Sequence, residues 1–273
     1  VTTAALSRGA WSPVTRYRRS LWLLTTRDLK VRYSTSFLGY FWSILDPLVM
    51  AAIYWFVFTQ VFGRGVGQEP YIVFLLSGLL PWMWFTGALS DCTRAFTREA
   101  KLIRSTTIPR TIWVARLVLS KGVEFVASIP VLAIFVLLMA WVGNPATLHW
   151  EALWWIPAII LQTMLTLGLG LIVAPLVVFF RDLERAVKLA LRFLFYASPI
   201  VYGLSDLPTT PIDFHFWAAF NPLTGIFGMY RAAFFPSELD PFASIVSAAM
   251  AVAFFAIGLA VFRGSIRTVL KEI

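Results

Sequence analysis

Long apolar runs separated by short basic segments set the pattern of this chain. Six runs approach the roughly 20 residues that cross a bilayer, at about 39–62, 71–91, 117–142, 152–180, 186–204 and 242–262. Ahead of the first, residues 14–34 mix two populations: Arg16, Arg18, Arg19, Arg27, Lys30 and Arg32 lie among Tyr17, Leu21, Trp22, Leu24, Leu29 and Tyr33. A helix of that kind lies in a membrane interface, with cations among headgroups and aromatics at the acyl boundary. The pattern predicts an all-α integral membrane protein. It has one domain, 1–273, in which six transmembrane helices follow an N-terminal amphipathic interface helix.

The stretch 216–235 is also long enough to cross, but it carries Asn221-Pro222 and Arg231. Pro222 removes a backbone donor, and non-helical backbone survives at membrane depth only against protein or a wet cavity. We therefore read 208–236 as a pair of short re-entrant helices on the outer side, before the last span. That parsing puts every Lys and Arg except Arg64 and Arg231 on one side, whereas a seventh span would move Arg263, Arg267 and Lys271 to the other. The positive-inside rule then makes the basic side cytoplasmic, with both termini on it. The longest cytoplasmic excursion, 93–121, reads as a short helix at about 94–104, a break at Ile108-Pro109, and the base of the third span.

Composition agrees. Hydrophobic residues make up 59% of the chain and charged residues 14%, against about a quarter charged in soluble domains. The net charge of +9 does not indicate nucleic acid, because a basic groove needs solvated surface that this composition scarcely provides. Cys92 is the one cysteine, so no internal disulfide forms, and His149 and His215 lack metal-site spacing. The first twenty residues hold no apolar h-region, so the first span is expected to serve as its own anchor.

Candidate chemistry is sparse. No G-x-x-x-x-G-K-[ST] is present, and residues 63–67 form a glycine-rich external turn without the lysine. No nucleophile elbow is found either. Carboxylates for a proton relay would be Asp46, Asp91, Glu124 and Asp182. Asp91 and Asp182 read as span-end charges pairing with Arg94 or Arg181. Asp46 and Glu124 lie about two turns inside their spans. The Asp46-Pro47 pair predicts a kink, with the acid either accepting the freed donor or pairing with an arginine. Trp82, Trp84, Trp150, Trp154 and Trp155 fit interfacial aromatic belts. Phe41, Trp42, Tyr54, Trp55 and Phe58 extend along the first span beyond a belt, and both simple packing and a sugar-lined conduit remain open for them.

Six segments then occur in order: RDLKVRYSTSFLGYFWSILDPL at 27–48, FLLSGLLPWMWF at 74–85, a basic hairpin, FFRD at 179–182, SPIVY at 198–202 and NPLTGIFGMYR at 221–231. Over nearly the whole chain they resemble the membrane subunit of ABC-2 type polysaccharide exporters, the Wzm-type permeases of O-antigen, teichoic acid and related cell-wall glycans. The resemblance implies a transport subunit, not an enzyme, in a bacterial inner membrane. It implies a homodimer working with two copies of a separate ATPase subunit that carries the ATP and Mg, with no cofactor in this chain. The cargo would be a polyprenyl-pyrophosphate-linked polysaccharide, an O-antigen or a wall galactan. Teichoic acid or small-molecule export is the alternative within the class, and an ATP-independent lipid-glycan carrier or membrane enzyme the alternative outside it.

By position, the resemblance makes 93–110 the cytoplasmic coupling region, with Arg94, Arg98, Glu99, Lys101 and Arg104. Arg27, Lys30 and Arg32 stand where a lipid pyrophosphate would enter, arginine suiting bidentate phosphate contacts and lysine a point charge. Attraction to anionic headgroups is the competing role for these three. The resemblance also makes 206–236 an external (periplasmic) gate region of re-entrant helices, with Asn221, Pro222 and Arg231 in it, and sets the first-span aromatics along a glycan channel.

Overall fold

The computed structural model describes residues 13–33, 41–61, 67–207 and 213–272. The expected start of the first span at Gly39, its end at Phe62, the external cation Arg64 and residues 208–212 of the gate region lie outside them. The described residues hold ten α-helices and no strand. α1 (Pro13–Tyr33) is the predicted interface helix. It buries Thr25 and Leu29 and leaves Trp22, Leu23 and Val31 exposed.

α2 (Trp42–Trp55) runs through Pro47 and continues as a π-helical turn, Phe56–Val61. The predicted kink partner is absent: among the described residues Asp46 neither accepts a freed backbone donor nor meets an arginine. α3 (Tyr71–Cys92) is the centre of the molecule, buried at every residue from Tyr71 to Trp82. It packs on α2, α5 (Ile112–Val142), α6 (Trp155–Phe179), α7 (Leu183–Ala197) and α9 (Thr224–Arg231). Gly143 ends α5 in the left-handed conformation, φ 90°, which only glycine adopts without strain. α10 (Pro241–Glu272) starts on Asp240, whose Oδ1 accepts from the Ala243 N–H at 2.7 Å.

Among the described residues four helices are long and apolar enough to cross a membrane: α3, α5, α6 with its leading 3₁₀ turn (Trp150–Phe179), and α10. Two of the six expected spans are shorter. α2 with its π turn is one. The other is α7, whose 15 residues rise only about 22 Å. The expected span 186–204 stops there because Ser198 precedes a proline and takes φ −104°, ψ 145°, as pre-proline sterics demand.

Two helix pairs touch backbone to backbone: α9 with α10, where a Cβ on Gly225 would stand 2.3 Å from the Ala243 carbonyl oxygen, and α6 with α10. A Cβ on Gly258 would stand 2.3 Å from the Gly168 carbonyl oxygen. Small residues that let two backbones touch are the usual device of helix pairs in lipid, where apolar burial against a partner gains little over burial in acyl chains.

Two further expectations are corrected. Trp82 and Trp84 are not a belt but core, 7% and 4% exposed. The Trp84 indole donates to the Val118 carbonyl at 3.0 Å and stacks on Phe125. Trp150 and Trp154 do stay exposed. The helix expected at 94–104 is shorter: turns carry the chain from Thr93 to Glu99, and α4 spans Ala100–Ser105. Arg110 holds the end of α4, donating to the carbonyls of Ile103 and Thr106 at 2.6 and 2.9 Å.

Candidate functional site

The charged side chains of α1, the end of α3, the 93–99 turns, the start of α5 and the start of α7 converge on one cavity of about 590 Å³. Its walls carry Arg27, Arg32, Arg94, Arg98, Arg116 and Lys188 against Asp28, Asp91 and Glu99. Six cations face these three carboxylates, and Glu124 and Glu184 beside the lining pair with Arg32, Arg94 and Lys188, so a small positive excess remains and the cavity suits an anion better than a cation.

Arg116 is its innermost member, with a side chain 3% exposed. Its guanidinium donates to both Asp28 carboxylate oxygens at 2.5 and 2.6 Å, lies 3.1 Å from Glu99, and stands over the Trp113 ring at 5.0 Å. Glu99 in turn accepts from Arg27 at 2.7 Å. Arg116 and Glu99 thus tie α1 to the 93–99 turns. Burial pushes the Asp28 carboxyl above its ordinary value, and the neighbouring Arg116 opposes that rise.

Arg32 extends the network, donating to Asp91 at 2.5 Å and to Glu124 at 2.9 Å, while Lys121 donates to Glu124 at 2.6 Å. This corrects the expected pairing of Asp91 with Arg94: Arg94 pairs instead with Glu184, which also accepts from Lys188 at 2.7 Å. Asp182 is exposed and makes no ion pair among the described residues.

The predicted site residues therefore separate. Arg27, Arg32, Arg94, Arg98 and Glu99 meet around the cavity, whereas Lys30, Lys101 and Arg104 are exposed outside its lining. The five first-span aromatics do not share one face. Tyr54 stacks on Phe195 of α7 with ring centres 5.5 Å apart, Phe58 approaches Tyr71 at 6.4 Å, and Trp42 lines a second cavity toward α5. Phe41 and Trp55 are exposed.

In the expected gate region two short helices, α8 (Phe214–Ala219) and α9, flank the turn at Asn221-Pro222. Asn221 donates to the Ala197 carbonyl at 3.2 Å and to Ser198 Oγ at 2.8 Å, and its Oδ1 accepts from the Leu223 N–H at 3.0 Å. It fastens the turn to the end of α7. Asn221→Ala is expected to cost about 1–2 kcal/mol by orphaning these groups, measured as a lowered unfolding midpoint in detergent. Arg231 is 1% exposed, donates to the carbonyls of Ile200 and Tyr202 at 2.6 and 3.1 Å, and covers the Phe74 ring at 3.8 Å. It braces the region against α3 from within.

Sequence reasoning missed Arg116, Asp28 and Glu184. The available signal for Arg116 was its setting, Trp113–Val118, an apolar run in which a lone guanidinium needs partners.

The family described as ABC-2 type transporter matches residues 19–235. The chain is 37% identical over 219 residues to an O-antigen export system permease protein of Klebsiella pneumoniae, covering 80% of this chain and 81% of that one. A protein of the same description from Myxococcus xanthus is 31% identical over 224 residues, covering 82% and 83%. The polysialic acid transport protein KpsM of Escherichia coli is 25% identical over 248 residues, covering 88% and 91%.

Proposed function

We propose, given that this chain belongs to the ABC-2 type transporter family, that it is the membrane subunit of an ATP-driven exporter of a lipid-linked polysaccharide resembling O-antigen. Two copies of the chain work with two copies of an ATPase subunit, which supplies the nucleotide site that this sequence lacks. The basic side faces the cytoplasm of a bacterial cell. α2 with its π turn and α7 complete six spans, and α8 and α9 form the external gate.

The observation that carries this reading is the wiring of α1 to the 93–99 turns through Arg27, Glu99, Arg116 and Asp28. It leaves α4 and its exposed cations free to meet a partner, while any displacement of those turns is passed to the interface helix. ATP-dependent closure of the partner subunits would bias that linked pair by differential contacts. The lipid diphosphate enters at the cation-rich cavity that Arg27 and Arg32 line, and Lys30, exposed on α1, meets headgroups.

A second exposed face supports a channel between two copies. α7 presents Arg185, Leu189, Arg192, Phe193 and Tyr196, and beside it α2 presents Met50 and Ile53 and its π turn Phe56. Arginine at the depth of Arg192 is costly against lipid, so a polar pathway or a second copy covers this face.

The test is co-purification with the ATPase subunit. The parent chain is expected to retain it, and replacing Arg98, Lys101 and Arg104 together by Ala to weaken capture about ten-fold. Export of the glycan is expected to stop, with precursor accumulating. Undiminished capture and export would overturn the reading.

A further inference from the structure

Asp46 has no task in the transport reading. It lies early in α2 and is exposed, and among the described residues it makes no ion pair and accepts no hydrogen bond. It lines a cavity of about 290 Å³ bounded by the end of α1, α2, α3 and α5, together with Trp42, Arg32, Lys121 and Glu124.

The two ends of this cavity differ in chemistry. Trp42 and Asp46 stand four residues apart, on one face of α2. The indole is 45% exposed. An open aromatic face beside an unpaired carboxylate attracts an ammonium group through both ring quadrupole and charge. Across the cavity, Lys121 Nζ gives one N–H to Glu124 at 2.6 Å. Its other two remain available, because an ammonium has three.

Net charge then selects the occupant. Arg32 and Lys121 face Asp46 and Glu124 in the lining, and Arg32 also bonds Asp91 just outside it, so the cavity carries no excess of positive charge. A diphosphate would meet Asp46 uncompensated, and a simple cation would meet the two bases. A group with an ammonium at one end and a phosphate at the other matches both ends. Leu80, Met83 and Phe125 supply apolar wall for the glycerol and first methylenes.

We propose that this cavity holds the phosphoethanolamine headgroup of an inner-leaflet phospholipid, its ammonium against Trp42 and Asp46 and its phosphate at Lys121. A primary ammonium is preferred to choline, since its N–H groups form charge-assisted hydrogen bonds with the Asp46 carboxylate. The site depends on the chain lying in a membrane but not on what it exports.

The experiment is native mass spectrometry of the full chain in detergent, with dioleoyl phosphatidylethanolamine, phosphatidylcholine, phosphatidylglycerol or farnesyl diphosphate as probe. Phosphatidylethanolamine is expected to be retained about ten-fold better than phosphatidylcholine or phosphatidylglycerol, the worth of one charge-assisted hydrogen bond. Asp46→Asn is expected to erase that preference, weakening phosphatidylethanolamine and, with the carboxylate charge gone, not weakening phosphatidylglycerol, and Asp46→Glu to keep it. Equal retention of phosphatidylglycerol, tighter retention of farnesyl diphosphate, or an unaltered preference in Asp46→Asn would each overturn the assignment. The readout is lipid retention, so its failure is distinct from a failure of export.

Discussion

Gly258→Val is expected to leave little correctly folded chain, with a destabilisation of about 3 kcal/mol or more. The added Cβ meets backbone, 2.3 Å from the Gly168 carbonyl oxygen, and a Cβ on Gly168 would in turn stand 2.5 Å from the Phe254 carbonyl. Neither carbonyl swings aside as a side chain does, so α6 and α10 must move apart. α6 is the main packing partner of α10. In lipid that packing rests on close van der Waals contact, which separation forfeits along the whole crossing. Gly264, about one and two-thirds turns further along α10, has nothing within 4 Å of an added Cβ. Gly264→Ala is expected to be neutral or to gain about 0.5–1 kcal/mol from lower chain entropy. Fluorescence-detected size exclusion after heating reads both variants. A Gly258→Val peak as heat-resistant as the parent's would show that the crossing tolerates separation.

The contrast between these glycines shows what the sequence conveys and what it withholds. Runs such as 71–91 and 242–262 announce α3 and α10 because membrane burial selects apolar length, which composition records directly. Which glycine of α10 touches a neighbour depends on how two helices cross, and the runs do not encode that. The Ser198-Pro199 break was visible, yet the apolar run continued through it, so length overrode a local signal that the backbone obeys. Trp82 and Trp84 carry the residue type of an interfacial belt, but α3 lies centrally and takes them inward. Ion partners were the least legible feature. Asp91 finds Arg32, 59 residues away, and Arg94 finds Glu184, 90 residues away, where proximity along the chain suggested that Asp91 and Arg94 would pair with each other. The cations of the coupling and entry regions were recognised as a population. The gathering of Arg27, Arg32, Arg94 and Arg98 around one cavity, with Arg116 at its base, follows from the docking of α1 on α5.

Arg116→Met is expected to produce the other large effect, a loss of about 3 kcal/mol in the range typical of breaking a buried ion pair. The methionine fills space but leaves Asp28, with a side chain 11% exposed, and Glu99, at 16%, without the guanidinium that both contact. The pH dependence has a definite sign. Burial raises the Asp28 carboxyl above its ordinary 3.8, with Arg116 opposing, so the folded chain binds this proton more readily than the unfolded one. The contribution of Asp28 to stability is therefore fully present below about 3.8 and is lost as pH rises through the raised folded value. Removing Arg116 lets that value climb further. The deficit of Arg116→Met relative to the parent should widen from acid toward neutral pH and narrow again on acidification. Asp28→Asn added to Arg116→Met should recover part of the loss at neutral pH, because the stranded charge is gone. Arg116→Lys keeps the charge but not the two-pronged contact, and should fall between. Unfolding midpoints at pH 5 and pH 8 distinguish these outcomes. A pH-independent deficit, or a double variant no more stable than Arg116→Met, would mean that Arg116 acts through its packing on Trp113 and not through Asp28. In the transport reading the same bridge passes motion from the 93–99 turns to α1, so Arg116→Lys, the milder substitution, should retain the ATPase subunit yet lower glycan export.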